Sequence, residues 1–165
     1  MRIDIPKPNG HHCFACGTDN PHGLHLHFYA SGDSVCADLT LDRYRVGWEG
    51  IAHGGIISTL LDEIMSWTII YFKQVFFVTR KMEVKYLKPL PVETPITVRG
   101  RLGKESAFPR IEVRGEIVQD EGSVLARSLG EFVQLSPERL SLIPEGMREE
   151  MESLFRQFSS RVEHA

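Results

Sequence analysis

The chain has 165 residues, 42% of them hydrophobic and 25% charged, with a net charge of −3. That suits one soluble globular domain with a core of useful size. No basic block stands out, so nucleic acid is excluded as an expected partner, and three cysteines give no disulfide framework and fit a reducing cytoplasm.

The N-terminus, Met1 to Pro8, lacks the apolar run of a signal peptide. Cys13-x-x-Cys16 follows, with His11, His12, His22, His25 and His27 close in sequence. These are the ligand types of a zinc site, but a second CxxC is missing. The ordinary reading is a tight turn whose thiols pack against a sheet. No metal or other cofactor is expected, and Cys13 and Cys16 are the candidates if a metal binds.

Leu24, Leu26 and Phe28 alternate with His25, His27 and Tyr29, which predicts a strand. Val35 to Leu41 predicts a second, joined to it by the hairpin turn Ser31-Gly32-Asp33. Arg43 to Ala52 reads as a loop. A central helix runs from about His53 to Phe72. The apolar stretch Ile56 to Val78 is broken by Asp62, Glu63 and Lys73, which argues against a membrane span. Strands are predicted at 79–87, 94–103, 110–119 and, after the turn Asp120-Glu121-Gly122, at 123–135. Met147, Met151, Leu154, Phe155 and Phe158 follow helical spacing and predict an amphipathic C-terminal helix. The expected architecture is α+β: an antiparallel sheet wrapped around one long central helix, plus a C-terminal helix. One domain covers 1–136, including the CxxC segment 11–23, and 137–165 is the tail. One sheet cannot cover a helix that is apolar nearly all round, so a homodimer is expected.

That helix carries a thin polar seam. Gly54, Ser58, Asp62 and Ser66 are spaced by four and stack on one face. A carboxylate thus lies two turns beyond a helix start whose free N–H groups and dipole favour negative oxygen. This pairing suits acyl transfer or hydrolysis. Asp62 as a mere cap or ion-pair partner, Ser58 and Ser66 as packing residues, and His53 as a helix cap are the plainer alternatives. Glu63 points about 100° away round the helix and reads as structural or as a contact across a dimer.

Four blocks in order carry a family resemblance: Cys13-Phe14-Ala15-Cys16-Gly17 with Asn20-Pro21-His22-Gly23-Leu24, the loop 47–52, His53-Gly54-Gly55 with Asp62 nine residues after the His, and the stretch 79–89 ending in Tyr86-Leu87-Lys88-Pro89. Over roughly 13–135 the chain resembles the hotdog-fold acyl-CoA thioesterases of the phenylacetate-pathway type. The resemblance implies a hotdog fold, active sites between subunits of a homodimer or homotetramer, and hydrolysis of an acyl-CoA to acid and free CoA. By matching position, Asp62 is general base or nucleophile. Gly54 or Gly55 supplies the oxyanion N–H. His53 positions the carbonyl or the leaving thiolate, and Ser66 holds water or the carboxylate. Relatives often carry Gln or Asn before the loop, where this chain has Val46, and a non-catalytic acyl-CoA-binding module is the alternative. Lys85, Lys88, Arg101, Lys104 and Arg110 are the pool of cations for CoA phosphates, and Trp67, Met65 and Tyr71 are expected to line the acyl pocket. Neither nucleic acid nor a membrane is an expected partner.

Overall fold

The computed structural model describes residues 1–120 and 122–162. Nine strands and two α-helices follow one another: β1 (Arg2–Ile5), β2 (Phe28–Ser31), β3 (Ser34–Thr40), β4 (Val46–Trp48), β5 (Ile51–Ala52), α1 (Gly54–Phe72), β6 (Phe77–Tyr86), β7 (Pro95–Leu102), β8 (Arg110–Gln119), β9 (Ser123–Gln134) and α2 (Glu145–Val162). Seven strands form one antiparallel sheet in the order β1-β2-β3-β7-β8-β9-β6, and β4 and β5 form a separate hairpin. Of the predicted turn 120–122, Glu121 lies outside the described residues, as do residues 163–165 of the predicted tail.

The sheet wraps α1. Leu60, Leu61, Ile64, Met65 and Ile69 are fully buried against it, and each contributes roughly 1.5–3 kcal/mol by leaving water. The close approach depends on a row of small residues. Val35, Gly100, Gly115, Ser128 and Val84 pair in register across β3, β7, β8, β9 and β6. A Cβ on Gly100 would lie 2.3 Å from Thr68 Oγ1 and 2.9 Å from the Ile64 carbonyl, so any side chain there would lift the helix. By length and composition α1 could cross a membrane, yet here it is the helix enclosed by the sheet. Helix α2 folds back on its end, with Phe158 packing 5.3 Å from the Tyr71 ring.

Two regions depart from the predicted elements. The strand expected from Leu24 begins only at Phe28. Leu24 N–H and Leu26 N–H are drawn instead to the Phe14 and Ala15 carbonyls of the CxxC turn, and His25 sits at φ +50°. The outer edge of β2 itself pairs with β1, Ile5 opposite Phe28, which alternation did not reveal. The predicted loop 43–52 contains the β4–β5 hairpin, closed by Gly50 at φ +73°.

Candidate functional site

His53 is the N-cap of α1, in extended conformation, and its Nδ1 accepts the Gly55 N–H at 2.9 Å. An imidazole nitrogen that accepts carries no proton, so in the neutral ring the proton resides on Nε2. The cap also separates the two glycines. Gly55 N–H is consumed, whereas Gly54 N–H meets no acceptor among the described residues. Gly54 therefore presents the free donor at the positive end of the helix. Gly47 keeps the preceding hairpin close, since a Cβ there would stand 3.1 Å from His53 Cα.

Tyr86, at the end of β6, fixes the same helix start. Its hydroxyl donates to the Gly54 carbonyl at 3.2 Å and lies 2.8 Å from Ser58 Oγ. With its one proton on Gly54, Tyr86 accepts from Ser58. The first seam serine thus orders the helix entrance.

Asp62 is partly buried two turns on, and its Oδ1 accepts from Thr79 Oγ1 at 3.1 Å. Burial pushes its pKa above the ordinary carboxylate value, the Thr79 hydroxyl pulls the other way, and negative charge on Cys13 adds to the rise. Ser66 stays partly buried on the same face, and its hydroxyl makes no hydrogen bond among the described residues. The hydroxyl that reaches Asp62 comes from β6.

Thr79 reaches Asp62 through a break in strand phase. The alternation of Met82, Val84 and Tyr86 extrapolates backwards to Arg80 and Val78, which would turn Thr79 away from the helix. The register of β6 on β9 shifts between Thr79 and Lys81. This bulge reverses the phase, so Phe77 and Thr79 join Met82, Val84 and Tyr86 on the helix side. Phe77 accordingly meets the buried Phe132 ring at 5.4 Å.

Beside this seam lies a second polar cluster. Glu63 accepts from Trp67 Nε1 at 3.0 Å, and its carboxylate oxygens lie 3.9 and 4.0 Å from Cys13 Sγ. The ligand atoms of Cys13, Cys16 and Glu63 all fall within 4.8 Å of one another. Cys13 accepts from the Cys16 thiol and from the backbone N–H groups of Cys16 and Ala15, which lowers its pKa to about 5, while Cys16 is pushed upward. Burial, then the Cys13 charge, raises Glu63 to about 7.

The expected cations are scattered. Lys85 pairs with Glu83 at 3.5 Å, Lys88 donates to Ser123, and Arg101 pairs with Asp33. Lys104 and Arg110 share one surface cleft with Lys73 and Phe108, which includes neither Asp62 nor Gly54. Trp67 stacks on Phe28 at 4.6 Å, and Met65 and Tyr71 are buried, so within one chain these three belong to the closed core.

Residues 49–126 match the family profile of the thioesterase superfamily. A solved thioesterase superfamily protein is 26% identical over 74% of this chain, with a TM-score of 0.69, and this chain spans 60% of that protein's length. A phenylacetic acid degradation-related protein of Ralstonia eutropha JMP134 is 18% identical, with 67% of this chain and 85% of that one aligned at a TM-score of 0.59. A hypothetical thioesterase protein from Streptococcus pneumoniae TIGR4, solved with coenzyme A, is 20% identical over 67% of this chain and 86% of its own, at 0.60. No curated protein matches the chain.

Proposed function

We propose that this chain, which carries a thioesterase superfamily domain over residues 49–126 and shares the hotdog fold of its neighbours, is an acyl-CoA thioesterase. The observation that carries the reading is the pairing of a free Gly54 N–H at the helix start with Asp62 two turns further along the same helix, held by Thr79. A thioester carbonyl docked at Gly54 gains a preorganised donor as it becomes an oxyanion, an effect worth about 3–4 kcal/mol. Asp62 then deprotonates water or attacks the carbonyl carbon itself. His53, with its proton on Nε2, can donate to the carbonyl oxygen or to the departing thiolate. CoA is the proposed carrier because one structural neighbour was solved with it.

Self-association belongs to this reading. Strand β6 closes one end of the sheet with its outer edge unpaired among the described residues, and Val78 and Tyr86 on it are exposed. A second copy paired along that edge would complete a substrate groove over Asp62 and Gly54. The three free thiols suit a reducing compartment, and the cytoplasm is the proposed location.

Val46 favours one alternative, a module that binds acyl-CoA without turnover. It sits in β4 as an exposed apolar side chain where related chains often place an amide. Following thiol release from a panel of aryl- and alkyl-CoA thioesters separates the two. Release by the wild type that collapses in Asp62→Asn supports the enzyme. Binding without release supports the module.

A further inference from the structure

We propose that Cys13, Cys16 and Glu63 form a binding site for zinc, completed by His11, that clips the N-terminal segment to the central helix. The site is independent of the thioesterase reading and uses none of its catalytic groups.

Geometry comes first. Zinc binds thiolate at about 2.3 Å and carboxylate oxygen at about 2.1 Å, so tetrahedral coordination sets neighbouring sulfur and oxygen about 3.6 Å apart. Cys13 Sγ lies 3.9 and 4.0 Å from the two Glu63 oxygens, and the three ligand atoms are already gathered within 4.8 Å. The Cys13–Glu63 pair is a few tenths of an ångström from that spacing, and side-chain shifts of at most about 1 Å bring the three ligands to it.

The CxxC segment has the backbone that such a site needs. Gly17 N–H donates to the Cys13 carbonyl at 2.9 Å, and a Cβ on Gly17 would stand 2.5 Å from that oxygen. Only glycine permits so tight a knuckle. The knuckle is tied to the 24–26 segment by two further backbone bonds, and Lys7 Nζ donates to the carbonyls of Cys16 and Leu26. Two thiolates and one carboxylate around a divalent cation leave one excess negative charge, which the Lys7 ammonium offsets.

A separate observation points to a fourth ligand. His11 Nε2 is the buried side-chain polar atom that finds no hydrogen-bond partner among the described residues. It lies two positions before Cys13. His11 stands outside the 4.8 Å group, so its coordination requires a turn of its side chain. Two thiolates, an imidazole and a carboxylate select zinc over hard cations such as magnesium or calcium. Four protein ligands leave no open position, so the metal is structural.

The test uses the full chain. Elemental analysis of protein purified without chelator is expected to give about one zinc per chain. After chelation, titration with cobalt(II) is expected to produce a thiolate-to-cobalt charge-transfer band and the strong visible bands of tetrahedral cobalt, both displaced by zinc. Cys16→Ser should abolish the bands, Glu63→Gln and His11→Gln should weaken binding at least tenfold, and Cys36→Ser should leave it unchanged. Alkylation mapped by mass spectrometry needs no variant: zinc should shield Cys13 and Cys16 of the wild type until chelator is added. Folded protein that takes up neither metal, a cobalt spectrum that survives loss of both cysteines, or equal alkylation with and without zinc would overturn the site.

Discussion

Thr79 Oγ1 donates to Asp62 Oδ1 at 3.1 Å across the gap between strand and helix, and it is the only hydroxyl hydrogen-bonded to that carboxylate among the described residues. Replacing it by an isosteric valine removes a hydrogen bond to a charged group, worth about 1.5–3 kcal/mol. In the thioesterase reading, Thr79→Val should lower kcat/KM by about tenfold or more, while Thr79→Ser retains most of it. Equal rates for Thr79→Val and wild type would remove Thr79 from the site.

The same bond sets a pH dependence. In the proposed function Asp62 must be ionised to act, and burial already holds its pKa above the ordinary 3.8. The Thr79 hydroxyl lowers it. The acid limb of kcat/KM should therefore lie above that of an exposed aspartate, and Thr79→Val should move it to still higher pH. A rate profile measured down to the point of acid unfolding checks both directions.

His53 has two separable roles. As N-cap it contributes about 1 kcal/mol to the fold. In the proposed function its Nε2–H is the donor offered to substrate. Asparagine also caps helices but has no group at that reach, so His53→Asn should keep the melting temperature within a few degrees and lose most of the turnover. His53→Ala should lose both, and it releases Gly55 N–H as well. Thermal melts run beside rate measurements distinguish the two.

Gly100 faces Thr68 and the Ile64 carbonyl, and only the first can move aside cheaply. Gly100→Ala should destabilise the protein by about 3 kcal/mol through overpacking, and Thr68→Ala should rescue only part of that because the carbonyl remains. Denaturant titration of the single and double variants gives the comparison.

In metal-free protein, Glu63 makes stability fall as pH rises. Its pKa is about 7 in the fold against 4.5 for an unperturbed glutamate, with burial as the main cause. The fold prefers the protonated form. The contribution is complete below about 4.5, declines as pH rises, and is gone above 7. Its size is on the order of 3 kcal/mol. Glu63→Gln should flatten this slope in chelator-treated samples. An unchanged slope would assign it to another group.

Much of this arrangement is legible in the chain itself. The four-residue spacing of Ser58, Asp62 and Ser66 places the carboxylate on a face with the helix start, and Gly54-Gly55 after a His marks where that helix begins. What escaped were effects that depend on a neighbour. Sequence could not divide Gly54 from Gly55, because the division comes from the side-chain angle of His53. The resemblance has Ser66, one turn along the helix, hold water or the carboxylate; that the Thr79 hydroxyl reaches Asp62 could not be read, because strand phase there is reversed by a bulge that no residue type announces. Glu63 meeting Cys13 spans fifty positions, and only the folded N-terminal segment brings the two together.

Asp62 hangs from the helix and Thr79 from the sheet, so the bond between them measures the thickness of the space separating two layers. That thickness is set elsewhere, by hydrogen atoms standing where Gly100 and Gly115 would otherwise carry carbon. A methyl group added at either glycine, touching neither Asp62 nor Thr79, would therefore act as a spacer between sheet and helix, disturbing a hydrogen bond it cannot reach.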